Sequence, residues 1–148
     1  MKIAKALKLK NQLAGEVAQL KDLLAKQNSR STRQKFDYDN REVLTRLRAK
    51  IAELVRVKAS VAAANVEVYD KIFRLAALKG LAATLANLDT RAGVFHEGRG
   101  FGEAAHEVEY VAQLGKVEVD KLVAELNAEI QSLQDELDEF NFTHSVGL

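Results

Sequence analysis

The residues best suited to chemistry are the histidines and their acidic neighbours. His96-Glu97 and His106-Glu107 stand at the two ends of a glycine-rich stretch, with Glu103 and Glu109 close by. Imidazole and carboxylate together suit zinc or a similar ion. His96, Glu97 and His106 are therefore the candidate metal ligands. No HxxxH or HExxH spacing sets two histidines on one helical face, so such a site would need the loop, or a second subunit, to assemble it. Surface histidines beside acids are common, and that plainer reading is preferred.

Two further stretches could hold an anion. Gly98-Arg-Gly-Phe-Gly102 precedes a helical segment, where free backbone N–H groups and Arg99 would suit a phosphate. A nucleotide-binding glycine loop follows a buried strand, and none is evident before this one; a flexible connector is the better reading. Residues 29–38 lack periodicity and carry Arg30, Arg33 and Lys35 beside Phe36 and Tyr38. Cations attract phosphate and aromatic rings stack on bases, but a solvated loop accounts for the same composition. There is no cysteine and no Gly-x-Ser-x-Gly motif. The carboxylates of the last segment are spread over a polar face rather than paired in an apolar pocket, so general acid–base work has no candidate. No catalytic residue and no cofactor are assigned, and the chain reads as a non-enzyme.

The elements that must position these residues are helices. From Val43 to Leu88 there is one glycine, Gly80. Leu44, Leu47, Ile51, Leu54, Val61, Val68, Ile72 and Leu75 recur in steps of three and four, with Lys58 and Asn65 filling two slots. That is a heptad seam. Asp39 or Asn40 can cap its start. Val66, Val68 and Tyr69 are weak helix formers, so two helices, 40–64 and 68–89, are favoured over one. A first helix over 2–28 follows from Leu13, Val17, Leu20 and Leu24. A last helix over 103–140 follows from Val119, Leu122, Leu126, Ile130, Leu133, Leu137 and Phe140. Residues 90–106 read as a mobile loop. Phe140 to Val146 alternate apolar and polar, which predicts an extended tail, able to pair with a copy of itself. The expected buried set is Leu47, Ile51, Leu54, Leu122, Leu126, Leu133 and Leu137.

The chain of 148 residues has no proline or tryptophan. Proline costs about 3 kcal/mol inside a helix, so its absence suits long ones. The expected fold is all-α: one domain over 1–148, an antiparallel helical bundle or coiled-coil hairpins of about four helices, with a short extended C-terminal tail. Lysines interrupt the opening residues, so no signal peptide is read there, and no window approaches the roughly 20 apolar residues of a membrane span. The absence of cysteine suits a reducing cytoplasm.

The net charge of +1 hides an asymmetry. Residues 1–60 hold 15 basic and 6 acidic side chains, a net of +9; residues 61–148 hold 7 and 15, a net of −8. A basic half can attract nucleic acid. Basic helices lying beside the acidic one, in the same chain or a neighbour, explain the charges more simply.

Both ends also resemble a known family. Met1-Lys-Ile-Ala-Lys-Ala-Leu7, then Asn11-Gln-Leu13 and Gln19-Leu-Lys21, look like the start of a group of small bacterial helical proteins often labelled septicolysin. Leu133, Leu137 and Phe140-Asn-Phe-Thr143 look like its end, and Val57-Lys-Ala-Ser-Val-Ala-Ala-Ala-Asn65 is similar to its central apolar segment. The glycine-rich loop departs from that pattern. The resemblance implies an all-α bacterial protein and brings no catalytic motif with it. The label names a lysin, yet the chain shows no strongly apolar, aromatic-rich amphipathic helix that would support one.

The functional expectation is a structural or interaction protein that self-associates through its helix seams, with Phe140, Phe142 and Val146 at the interface. An anion- or nucleic-acid-binding module built on the basic half, with Arg30, Arg33 and Lys35, is the alternative. A metal site at the His96/His106 loop is a third reading. Nucleic acid and membrane are not expected partners.

Overall fold

The computed structural model of the chain describes residues 1–98 and 104–148. Its elements are α1 (Ile3–Lys26), α2 (Asn40–Ala64), a short 3-10 turn (Asn65–Val68), α3 (Tyr69–Ala86), strands β1 (Gly93–Glu97) and β2 (His106–Tyr110), and α4 (Lys116–Thr143). The protein is mostly helical, with a small two-stranded sheet. The chain falls into two compact units: residues 1–69 with 137–148, and residues 70–136.

In the first unit α1 and α2 pack antiparallel. Val17 and Leu20 of α1 meet Val43 and Leu47 of α2, flanked by Leu23, Leu24, Tyr38 and Leu54. Asp39 caps α2: its carboxylate accepts from the Arg41 N–H at 2.8 Å, satisfying a donor the first turn leaves free. The connection between the helices is ordered by its own polar groups. The Tyr38 hydroxyl donates to the Leu23 carbonyl at 2.6 Å, and Asn40 donates to the Leu24 carbonyl at 3.0 Å, closing the end of α1. Farther along, Lys50 of α2 pairs with Glu16 of α1 at 2.8 Å.

The packed seam of α2 differs from the expected one. Val43, Leu47, Val57 and Val61 are buried and Leu54 half-buried, whereas Leu44 is exposed and Ile51 is 38% exposed. The two lines share Leu47, Leu54 and Val61. They differ at the alternate heptad position, which lies one residue earlier: Val43, Lys50 and Val57 replace Leu44, Ile51 and Lys58. Val57, with 1% exposure, is as deeply buried as Ile3 and Leu13 of α1. The turn at Asn65–Val68 tightens the chain where the weak helix formers stand.

The chain ends meet each other. α4 stays helical through Thr143, so the extended tail expected from Phe140 is confined to the last residues. The period-two pattern there competes with the i, i+3 and i+4 stripe of Leu133, Leu137 and Phe140, and the helix wins because that stripe is buried. Lys2 and Ser145 form an antiparallel bridge. The Ile3 N–H donates to the His144 carbonyl at 3.0 Å, the Val146 N–H to the Met1 carbonyl at 2.8 Å, and Lys2 Nζ to the Thr143 carbonyl at 2.5 Å. One free N–H at the start of α1, that of Ile3, is thus satisfied just past the end of α4, and the Thr143 carbonyl there is taken by the Lys2 ammonium. The extended residues pair with the chain's own beginning.

In the second unit the start of α3 is tied to the later part of α4 by Lys71–Glu136 at 2.6 Å and by Arg74–Glu129, so these helices also run antiparallel. Leu75, Ala82, Val119 and Leu133 are buried in this unit, and Ile72, Leu122, Leu126 and Ile130 are half-buried. α4 starts at Lys116 rather than 103, with the Gly115 carbonyl accepting from the Val119 N–H at 2.9 Å.

Candidate interaction surfaces

A β-hairpin takes up the region read as a mobile loop and the first residues read as the last helix. β1 and β2 are antiparallel, with Gly93 opposite Tyr110, Phe95 opposite Val108, His96 opposite Glu107 and Glu97 opposite His106. Successive strand residues point to opposite faces. His96 and Glu107 therefore share one face with Val94 and Glu109, while Glu97 and His106 share the other with Phe95, Val108 and Tyr110. The candidate metal ligands are split: Glu97 and His106 fall together and His96 lies behind them. Among the described residues no group of three or more His, Asp or Glu side chains is placed to hold an ion.

Glu97 is engaged otherwise. The Tyr110 hydroxyl donates to it, and Arg91 Nη1 reaches it at 3.2 Å. The Arg91 guanidinium lies 4.0 Å over the Tyr110 ring and forks onto Asp89, at 2.5 Å for the closest pair. Arg91 holds the Asp89 carboxyl below its usual range, and the bond to Glu97 raises the Tyr110 phenol above its own. Phe95 packs edge-on to Tyr110 with ring centroids 5.7 Å apart. The cluster runs along one face of the hairpin, from Arg91 and Tyr110 at its open end to Glu97. At the other end Gly98 adopts φ +87°, and a Cβ there would stand 2.8 Å from His106 Nδ1, so glycine is required. Arg99, Gly100, Phe101, Gly102 and Glu103, which carry most of the expected phosphate loop, lie outside the described residues.

The cations of the 29–38 connection divide similarly. Arg30 is bound to the Lys35 carbonyl at 2.7 Å and to Asp37 at 3.7 Å. Arg33 and Lys35 are exposed. A pocket of about 740 Å³ opens where this connection enters α2, lined among others by Leu24, Phe36, Asp37, Asp39, Arg41 and Leu44. Carboxylates face into it beside Arg41, which does not suit an anion.

Of the residues expected at an interface near the end of the chain, Phe140 and Val146 are buried in the first unit, with Phe140 stacked on His144 at 4.0 Å. Phe142 is 69% exposed.

Among the described residues, exposed apolar side chains occur at several places, Val66, Phe73 and Leu81 among them, and two groups adjoin exposed charges. On α2, Leu44, Ile51 and Val55 lie roughly 80–120° round the helix from the line of Val43, Val57 and Val61, at about 100° per residue. Arg48, Lys58 and Ala62 fall on the same arc. The opposite flank, by the same geometry, carries Glu42, Arg46, Glu53, Arg56 and Ser60. α2 is thus apolar over nearly half its circumference, and α1 covers only part of that arc. The expected seam residues Leu44 and Ile51 belong to this second stripe. The other surface follows β2, where Val111 is 88% and Val117 85% exposed, with Leu114 between them and Glu107, Glu109 and Glu118 around them. The sequence reading missed it, having folded these residues into a longer helix; the alternation Glu107-Val-Glu-Tyr110 is the strand signal.

No helix among the described residues is long and apolar enough to cross a membrane. No family model, curated protein or solved structure matches the chain.

Proposed function

We propose that this chain is a non-enzymatic structural or interaction protein that self-associates through its helices as a homo-oligomer. The second apolar stripe on α2 carries this reading. Leu44, Ile51 and Val55 stand in water at heptad steps of seven and four, beside a seam α1 already fills. Exposed apolar residues so aligned mark a face that another helix or chain covers. The antiparallel pairs α1 with α2 and α3 with α4 fit coiled-coil hairpins as its building blocks, and the family likeness of both ends, with a bacterial cytoplasmic setting, belongs to the same reading.

Val55→Asp tests it. The side chain is already 60% exposed, so the charge is tolerated in the single chain and opposed only where a partner would desolvate it. Sedimentation should give a lower mass than wild type with helical circular dichroism retained. An unchanged mass would remove the stripe from any interface. Arg33, Lys35 and the α2 cations support the second reading, nucleic-acid binding; a low-salt gel shift without retardation would dispose of it.

A further inference from the structure

We infer, on the premise of the self-association proposed above, that the exposed α2 stripe of one copy receives the β2–α4 connection of a second copy. Each surface has what the other lacks. The stripe sets Arg48 and Lys58 among Leu44, Ile51 and Val55, and neither cation has a hydrogen-bond or ion-pair partner among the described residues. The connection sets Val111 and Val117 between Glu109 and Glu118, equally exposed and equally unpaired among the described residues. Apolar surface flanked by cations meets apolar surface flanked by carboxylates.

Charge also decides against the like-with-like arrangements. Two α2 stripes face to face would bring Arg48 and Lys58 against the same cations, and two connections would oppose their glutamates. Like charges facing each other across a contact suppress it. The favoured contact joins different patches of two copies, and such a head-to-tail contact closes into a ring or continues as a filament. A nucleic acid would satisfy Arg48 and Lys58 but would leave Leu44, Ile51, Val55, Val111 and Val117 in water.

The test is a charge exchange, using the full chain. One variant carries Arg48→Glu and Lys58→Glu; the other carries Glu109→Lys and Glu118→Lys. All four side chains are exposed, so circular dichroism should report wild-type helix in both. Each variant alone should associate about tenfold more weakly or worse, and sediment at a lower mass. Mixed in equal amounts they should regain the wild-type mass, because each reversed patch finds its reversed complement on the other variant. Arg48→Gln with Lys58→Gln should weaken association less than the reversal. Wild-type mass in both variants would overturn the pairing while leaving self-association standing. Loss of mass in the first variant alone, or in both without rescue on mixing, would also overturn it. So would retardation of a nucleic-acid duplex by wild type that is lost in the first variant while its mass is unchanged. A wild-type chain that sediments as a monomer would instead remove the premise.

Discussion

Val55 and Val57 lie two residues apart on α2 and can be changed in the same way. Val→Ala removes two carbons from each. At about 0.8 kcal/mol per buried CH2 the transfer loss is about 1.6 kcal/mol at Val57, which is 1% exposed, and about 0.6 kcal/mol at Val55, which is 60% exposed. Alanine gains helix propensity over valine, by up to about 0.7 kcal/mol, and gains it at both sites. That leaves Val55→Ala near neutral. At Val57 a residual cavity adds to the loss, so Val57→Ala should cost about 1–2 kcal/mol more than Val55→Ala. The assay is urea unfolding followed by far-UV circular dichroism, with both variants at one dilution low enough to dissociate copies. Equal losses, or a larger loss at Val55, would refute the assignment of α2's packed line to Val43, Leu47, Val57 and Val61.

Gly98→Ala should disorder the hairpin, since φ +87° and the His106 ring leave no room for a Cβ; strand amides that keep their hydrogen-exchange protection would contradict this. Asp89 should titrate below the ordinary aspartate value because Arg91 donates to its carboxylate. The stabilisation from this pair is complete above that ordinary value and is lost as pH falls through the lowered one. An NMR titration midpoint at or above the ordinary value would show that the fork onto Asp89 does not persist in solution. Removing residues 144–148 should destabilise the first unit itself, by roughly 1.5–3 kcal/mol for the buried Val146 alone. Unchanged urea stability would show that the clasp between the chain ends contributes nothing.

Helix was legible where a single period dominates. Leu13, Val17 and Leu20 place α1, and the pair Asp39-Asn40 marks the start of α2, with Asp39 taking the cap. The seam on α2 was legible in period and ambiguous in phase, because the arc carrying Val43, Leu44, Val55, Val57 and Val61 is too wide to reveal which line an adjacent helix chooses. Only the position of α1 settles that. The hairpin was hidden by its composition. Glycine and charge around His96 and His106 read as loop, and the contacts of Arg91 and Glu97 with Tyr110 across the hairpin do not show in sequence spacing. Strand parity divides the metal candidates: opposite residues in an antiparallel pair share a face, so His96 sits with Glu107 and His106 with Glu97. The last residues pair with Lys2 within the chain, through backbone groups at the two chain ends that no local spacing reveals.

The native mass tests self-association most directly. Light scattering coupled to size exclusion, over a dilution series from micromolar concentrations downward, should give a multiple of the 16.4 kDa chain that falls as the stripe is uncovered by dilution. A mass of one chain at every concentration would contradict it.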